Sequence, residues 1–195
     1  MHNDPLKVAV VDSNPVRATI LIDGLQEAGT VEITVISETT GLLARIFTID
    51  PDVILIDVED QNRDVLEQMF QVSRDVRRPI AMFVDQSDRA LIDEAIAAGV
   101  SAYIVDGLVQ SRVKFIVDMT ISRFNAFARL QDELEKTRGA LEDRKVTDRA
   151  KGILMKSRQI DEPAAYALLR TTAMNTKRKI ADIARSVITA ADLLG

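Results

Sequence analysis

Five short runs of apolar residues recur along the first 112 residues, and patterns with helical spacing separate them. Most of the runs are continuous in Val and Ile rather than alternating, which is typical of parallel strands covered on both faces. The runs are Val8–Asp12, Val31–Ile36, Val53–Asp57, Ile80–Val84 and Tyr103–Val105. The pattern predicts an α/β domain over residues 1–112 with a five-stranded, parallel, doubly wound sheet.

A long helical pattern without proline follows, from about Leu108 to Arg158. A heptad numbering over residues 113–144 predicts a coiled-coil helix that forms a homodimer. The side chains expected at its interface are Val113, Val117, Phe124, Phe127, Leu134 and Leu141. An alternative stays open, in which the stretch from Val113 to Phe127 is the last helix of the α/β domain and packs on its own sheet.

The third part of the chain, residues 145–195, is predicted to be all-α with three helices. Asp161 can cap the second helix, and Pro163 is tolerated in its first turn. Apolar residues recur at spacings of three and four, as expected for a small core. These core candidates are Ile153, Leu154, Tyr166, Leu169, Met174, Ile180, Ile183, Val187 and Ile188.

The charge of the chain changes sign along its length, although the net value is only −5. Residues 1–112 carry 9 Lys and Arg against 19 Asp and Glu, residues 113–144 carry 6 against 6, and residues 145–195 carry 10 against 5. A basic end on an acidic protein points to nucleic acid or another anionic surface. An ordinary solvated surface is the alternative.

Several function classes find no support in the sequence. Cysteine is absent and the only histidine is His2, so thiolate metal sites and Cys or Ser–His nucleophilic catalysis are not expected. No glycine-rich phosphate loop is present. The start of the chain lacks a signal-peptide pattern, and no apolar run is long enough for a membrane span. We therefore expect a cytoplasmic, non-enzymatic protein that does not bind membranes.

Two aspartates, Asp12 and Asp57, close predicted strands and should meet in the crevice at the carboxyl ends of the sheet. The surrounding segments VAVVDSNP, PDVILIDV and AGVSAYIVDGL resemble the receiver domains of response regulators over residues 6 to about 112. The resemblance implies a receiver-like, flavodoxin-like fold. It also implies that Asp57 is the phosphoacceptor and that Asp12 helps to hold Mg²⁺.

The same resemblance has departures in this crevice. Ser13 stands where receivers have a second acid, Val84 where they have a hydroxyl, and Asp106 where they have a lysine. The crevice of Asp12, Asp57 and Asp106 is therefore acidic and at best a weak Mg²⁺ site, and no cofactor is required. We expect this domain to act as a docking module for a protein rather than in an ordinary phosphorelay.

The basic segment offers candidate contacts to nucleic acid phosphates, and its composition does not distinguish RNA from DNA. Gly152 beside Lys151 would permit close approach of a ligand. The candidate residues are Arg149, Lys151, Gly152, Lys156, Arg170, Lys177, Arg178 and Lys179.

This segment resembles the ANTAR domain of transcription antiterminators such as AmiR and NasT. The resemblance rests on four blocks that occur in order, AKGILM, AYALLR, AM and IA. The resemblance implies a dimer that binds a two-hairpin leader RNA and so prevents a terminator from forming. The AYIVDGL block is most similar to the NasT type, which implies control by a nitrate- or nitrite-sensing partner protein. A DNA-binding regulator and a conventional phosphorylation-activated response regulator remain the alternatives.

Overall fold

The computed structural model describes residues 5–27, 29, 31–58 and 63–194. The chain forms two compact units, residues 1–128 and 129–195. His2 lies outside the described residues. Within the described part no helix is both long enough and apolar enough to span a bilayer.

The first unit is a five-stranded parallel sheet in the order β2-β1-β3-β4-β5 with helices between the strands. This arrangement confirms the predicted doubly wound α/β fold. Its elements are β1 (Leu6–Val11), α1 (Pro15–Gln26), β2 (Val31–Ile36), α2 (Leu42–Ile49), β3 (Val53–Val58), α3 (Arg63–Asp75), β4 (Ile80–Val84), α4 (Arg89–Ala97), β5 (Ala102–Val105) and the start of α5 (Gln110–Arg158).

The sheet has this form because its central strands are apolar except for Asp57 near the end of β3. Every residue of β3 and β4 is buried, so both faces of the sheet need cover. Helices α2, α3 and α4 pack on one face, and α1 and the start of α5 pack on the other. Strands β1 and β3 pair in parallel, so their carboxyl ends lie next to each other.

The beginning of α5 belongs to this unit. Val113 and Val117 are 0% and 4% exposed and pack with Leu21 and Leu25 of α1. A Cβ atom at Gly24 would lie 2.7 Å from the Cβ atom of Val113, so the two helices approach closely there. The structure thus supports the open alternative for this stretch, and Val113 and Val117 are not available to a second chain.

Farther along α5 the predicted interface residues are less buried. Phe124 is half-buried, whereas Phe127, Leu134 and Leu141 are exposed, together with Leu130. The predicted boundaries after residues 112 and 144 both fall inside this continuous helix.

The second unit consists of the rest of α5, α6 (Glu162–Thr176) and α7 (Ile180–Leu194). The three helical segments agree with the prediction from the sequence. Asp161 caps α6, because its Oδ1 atom accepts a hydrogen bond of 2.9 Å from the amide of Ala164. The buried residues are Ala150, Leu154, Ala165, Leu169, Ala173, Ile183 and Ala184.

Three of the predicted core residues are not in this core: Ile153 is half-buried outside it, and the other two are exposed. Tyr166 is 43% exposed and Met174 is 68% exposed. Each lies one position after a buried alanine of α6, Ala165 or Ala173, and one position rotates a side chain by about 100° around a helix. The prediction was wrong here because the buried stripe of α6 consists of Ala165, Leu169 and Ala173, which leaves the other two side chains outside it.

Candidate functional site

The crevice at the strand ends contains two neighbouring carboxylates. Val11 of β1 lies opposite Ile56 of β3, so the residues that follow them, Asp12 and Asp57, are side by side. Both are buried. Asp106 follows β5, which β4 separates from β3, and it is exposed. The structure therefore brings together two of the three acids predicted for the crevice.

The side chain of Asp57 is occupied by a guanidinium from α1. Arg17 donates from Nε to Asp57 Oδ2 and from Nη2 to Asp57 Oδ1, the latter over 2.8 Å. Its Nη1 atom donates to Asp85 Oδ1, also over 2.8 Å. The Asp57 side chain is 0% exposed beneath Arg17. The hydrogen bonds to Asp57 keep the pKa of Arg17 above its ordinary value, so this two-point ion pair is permanently charged on the arginine side.

Asp12 is left incompletely paired in the same crevice. Its Oδ1 atom accepts a hydrogen bond of 2.7 Å from the amide of Asn14, while its buried Oδ2 atom has no hydrogen-bond partner among the residues that the structure describes. Burial raises the pKa of Asp12 to about 6, against the lowering effect of the Asn14 amide, and the adjacent Asp57 carboxylate adds to the rise. This carboxyl therefore takes up a proton near pH 6, well above the range of an ordinary aspartate.

The Mg²⁺ ion implied by the receiver-like crevice does not fit these residues. Mg²⁺ needs near-octahedral oxygen ligands, but Arg17 already engages both carboxylate oxygens of Asp57. Ser13 offers no second carboxylate. In the part of the chain that the structure describes, no group of three or more acidic or histidine side chains could hold a metal ion. Arg17 supplies the positive charge that a cation would supply.

A basic groove lies in the second unit, between α5, α6 and the segment that joins α6 to α7. It is an open cavity of about 880 Å³. Six cations and two carboxylates line it, with an aromatic ring and apolar side chains between them. The lining residues are Asp143, Arg144, Thr147, Asp148, Lys151, Tyr166, Arg170, Ala173, Met174, Lys177, Arg178, Lys179, Ile180 and Ala181.

Helical spacing explains how the groove is built. On α5, Arg144, Asp148 and Lys151 are three and four residues apart and so share one face. On α6, Tyr166, Arg170 and Met174 follow at intervals of four. The helix ends when Lys177 takes the left-handed conformation, with φ of 53°. This turn places the three consecutive cations 177–179 at the end of the groove.

Lys151 is held inside the groove by two acids. Its Nζ atom lies 2.7 Å from Asp148 Oδ1 and 2.7 Å from Glu162 Oε1. These contacts raise the pKa of Lys151, with the Asp148 hydrogen bond as the largest cause. The ammonium is thus charged but already paired, so an incoming anion must compete for it.

The structure divides the predicted nucleic-acid residues into two groups. Five line the groove, and these are Lys151, Arg170, Lys177, Arg178 and Lys179. Three lie outside it. Arg149 is exposed and donates to Asp192 of α7 over 3.0 Å, Lys156 is exposed, and Gly152 is half-buried. A Cβ atom at Gly152 would meet no heavy atom within 4 Å, its own helix backbone and chain neighbours aside.

Four residues of these sites were missed from the sequence. Arg17 and Asp85 are 68 residues apart in the sequence, and the long arginine side chain brings them into contact. Such a contact leaves no pattern among neighbouring residues of the sequence. Arg144 lies seven residues before Lys151, a spacing that indicates a shared helical face. Tyr166 follows Ala165 in an Ala-Leu-Ala stripe at intervals of four, which is the signal that could have placed it outside the core.

Comparison with known proteins agrees with the architecture of the second unit. Residues 135–188 match the family model of the ANTAR domain, so this unit carries an ANTAR domain. Two curated relatives, both described as the transcriptional regulatory protein PdtaR, come from two strains of Mycobacterium tuberculosis. Each is 28% identical over 138 residues, which cover 71% of this chain and 67% of the relative.

Solved structures agree with the fold of the first unit. The signal receiver domain of the response regulator NarL from Mycobacterium tuberculosis superposes with a TM-score of 0.53 at 17% identity, covering 61% of this chain and 98% of that domain. A CheY-like receiver domain from Methanospirillum hungatei gives a TM-score of 0.55 at 14% identity, covering 63% of this chain and 98% of that protein. These likenesses establish a receiver-like fold joined to an ANTAR domain.

Proposed function

We propose that the chain is a transcription antitermination regulator that binds a two-hairpin leader RNA through the basic groove of its ANTAR domain. The observation that carries the proposal is the concentration of six cations against two acids in one concave surface. Lys and Arg side chains in such a surface neutralise backbone phosphates and fix the register of the nucleic acid. The relatives described as transcriptional regulatory proteins support the same role.

RNA hairpins suit this groove better than duplex DNA. The groove is a cavity that contains an aromatic ring, whereas reading of duplex DNA usually inserts a helix or strand into the major groove. Unpaired loop bases are accessible to protein side chains and can enter a cavity. The phosphate contacts are assigned to the five predicted cations that line the groove, and Arg149 and Lys156 are left out of this assignment.

A dimer would present two grooves to two hairpins. Phe127, Leu134 and Leu141 are exposed at heptad spacing on α5, and Leu130 lies beside them at a spacing of three. Apolar residues repeated in this way favour a coiled coil with a second copy of the chain. The interface is therefore proposed for this later stretch of α5 together with the half-buried Phe124.

The receiver-like unit is proposed to respond to a sensor protein rather than to phosphate. Arg17 occupies the carboxylate of Asp57, which would have to be free to attack a phosphoryl group. Apolar side chains remain exposed on and around the last strand, at Ile96, Val105 and Val109, and such residues are common at protein interfaces. A nitrate- or nitrite-sensing partner that sequesters the chain and releases it when ligand binds fits the NasT-like block.

The test is a competition between nucleic acids. The full chain is incubated with a labelled two-hairpin RNA, and unlabelled hairpin RNA or a DNA duplex of equal charge is added. The proposal expects displacement by the RNA at much lower concentration than by the DNA. Preferential displacement by the DNA would favour the alternative of a DNA-binding regulator.

The control by a partner is tested separately. The chain and a nitrate-binding sensor protein are mixed and analysed by size-exclusion chromatography with and without nitrate. The proposal expects a complex that separates when nitrate is added and that Val105→Glu prevents. Stoichiometric phosphorylation of Asp57 by a small phosphodonor with Mg²⁺ would instead support a conventional response regulator.

A further inference from the structure

The basic groove contains a residue whose position is not explained by packing or by charge. Tyr166 is the only aromatic residue between positions 129 and 195. A tyrosine ring buries a large apolar area when it enters a core, yet this ring is 43% exposed while Ala165, Leu169 and Ala173 of the same helix are buried. The unit leaves its one aromatic ring open to the groove.

The neighbours of the ring define the kind of ligand that it would meet. Arg170 and Met174 follow Tyr166 at one and two helical turns on α6, and Lys177 continues the row at the end of the helix. All four residues line the groove. A planar π surface, a polarisable thioether and two cations occur together. This combination fits a ligand that is flat and apolar on one part and anionic on another.

We propose that Tyr166 is the platform on which an unpaired RNA base stacks, with Met174 packing beside the base. This inference rests on the proposed RNA-binding function and assigns its base-contacting residue. The faces of all bases are π surfaces, so an aromatic ring binds them with little sequence preference, while nearby Lys and Arg hold the adjoining phosphates. Bases inside a duplex are stacked on each other, so the ring requires a loop or a bulge.

The charge of the groove speaks against the same groove of a second copy as its occupant. The same groove on the partner copy would carry the same excess of cations, and like charges facing each other oppose association. A polyanion is attracted by the whole groove. A nucleotide supplies both the anion and the flat ring, whereas a simple acidic peptide supplies the anion alone.

The composition of the chain permits a direct measurement. The protein has no Trp and only two Tyr residues, Tyr103 and Tyr166. Tyr103 lies in β5, where its hydroxyl oxygen is 3.1 Å from that of Ser87. In the full-length variant Tyr103→Phe, all tyrosine fluorescence therefore comes from Tyr166. The two probes are a pool of RNA hairpins with randomised loops and a blunt RNA duplex of the same length.

The expected result is quenching of Tyr166 fluorescence by the hairpins and not by the duplex. In the parent sequence, Tyr166→Phe should bind the hairpins about as tightly as the parent, whereas Tyr166→Ala should bind about ten- to hundredfold more weakly. Tyr166→Leu, which keeps apolar area but loses the ring, should resemble Tyr166→Ala. Because the side chain is half-exposed, circular dichroism should show that all three variants remain folded.

Three other outcomes would count against one of the two proposals. If the parent binds the hairpins but Tyr166→Ala and Tyr166→Leu bind them equally well, the stacking role is wrong and the RNA-binding function stands. The same holds if Tyr166→Ala changes only the self-association of the protein, measured by analytical ultracentrifugation. Tyr166 would then be part of a protein interface. If the parent binds neither RNA, the proposed function itself fails.

Discussion

The guanidinium of Arg17 donates hydrogen bonds to both carboxylate oxygens of Asp57. The Asp57 side chain is fully shielded from solvent. The pair joins α1 to the end of β3 at the position where a receiver would react. A buried charge of this kind is stable only while its partner is present. The receiver-like unit therefore depends on Arg17 for its fold and, in our proposal, for its lack of response to phosphate.

Removal of one partner should leave the other buried and uncompensated. We expect Arg17→Ala to lower the free energy of unfolding by about 2 to 4 kcal/mol. The measurement is urea denaturation of the full chain followed by circular dichroism. Asp85→Asn is the matched control, because Asp85 is nearly half exposed and its ion pair should contribute less than about 1 kcal/mol. Equal effects of the two variants would contradict the dependence on the Arg17–Asp57 pair.

The same variant tests why Asp57 should be unreactive. With acetyl phosphate and Mg²⁺, the parent protein should gain no phosphoryl group, because both oxygens of Asp57 are engaged. Arg17→Ala should be phosphorylated to a measurable extent by mass spectrometry, and Arg17→Ala with Asp57→Asn should not. Rapid phosphorylation of the parent would show that Arg17 does not block this carboxylate.

The raised pKa of Asp12 predicts a pH-dependent loss of stability. The pKa of Asp12 is about 4 in the unfolded chain and about 6 in the folded chain. Between these pH values the unfolded chain has released the proton while the folded chain retains it, so the free energy of unfolding falls as the pH rises. Asp12→Asn resembles the protonated form and removes this loss. Its unfolding free energy should match that of the parent near pH 4 and exceed it by about 1 to 3 kcal/mol at pH 7.5. A constant difference across this range would refute the assignment.

Two glycines of α5 form a matched pair for testing close approach of RNA. A Cβ atom at Gly139 or at Gly152 would have no heavy atom of the described residues within 4 Å, apart from those of its chain neighbours and of the adjacent helix backbone. Alanine at either position should therefore stabilise the helix by roughly 0.5 to 1 kcal/mol. Gly152 lies beside Lys151 but outside the groove, so Gly152→Ala should weaken hairpin binding only where the RNA extends past Lys151 onto that face of α5, and Gly139→Ala should not weaken it. If both variants bind as the parent does, the RNA does not approach α5 closely there.

The groove predicts which cations matter for binding. Arg178→Ala should weaken hairpin binding and reduce the slope of log K against log salt by about 1, as expected when one phosphate contact is lost. Arg149→Ala should change neither quantity much, since Arg149 lies outside the groove and pairs with Asp192. Filter binding at several salt concentrations gives both values. Equal losses in the two variants would point to a diffuse basic surface.

Much of the fold could be predicted from the sequence because the signals were local. Continuous apolar runs marked all five strands, and the strand ends placed Asp12 beside Asp57. Asp161 marked the start of α6. These features depend on a few neighbouring residues, so a single sequence contains them.

The missed features depend on tertiary contacts. The heptad of Val113 and Val117 is almost the same as the pattern of a helix that packs on its own sheet, since periods of 3.5 and 3.6 diverge slowly. Tyr166 was placed in the core because it is large and apolar, but the space beside α6 accommodates alanine. Arg17 reaches Asp57 through a long side chain, and nothing in the residues near Arg17 indicates that partner.

The central claim is that the basic groove binds leader RNA in the cell. The most direct test is sequencing of RNA crosslinked to the protein. The control is a triple variant that combines Lys177→Gly, Arg178→Ala and Lys179→Ala. Glycine suits position 177 because its φ is positive. We predict that the parent enriches transcript leaders able to form two hairpins and that the triple variant loses them. Equal recovery of RNA by both proteins, or recovery of no leader segment, would contradict the claim.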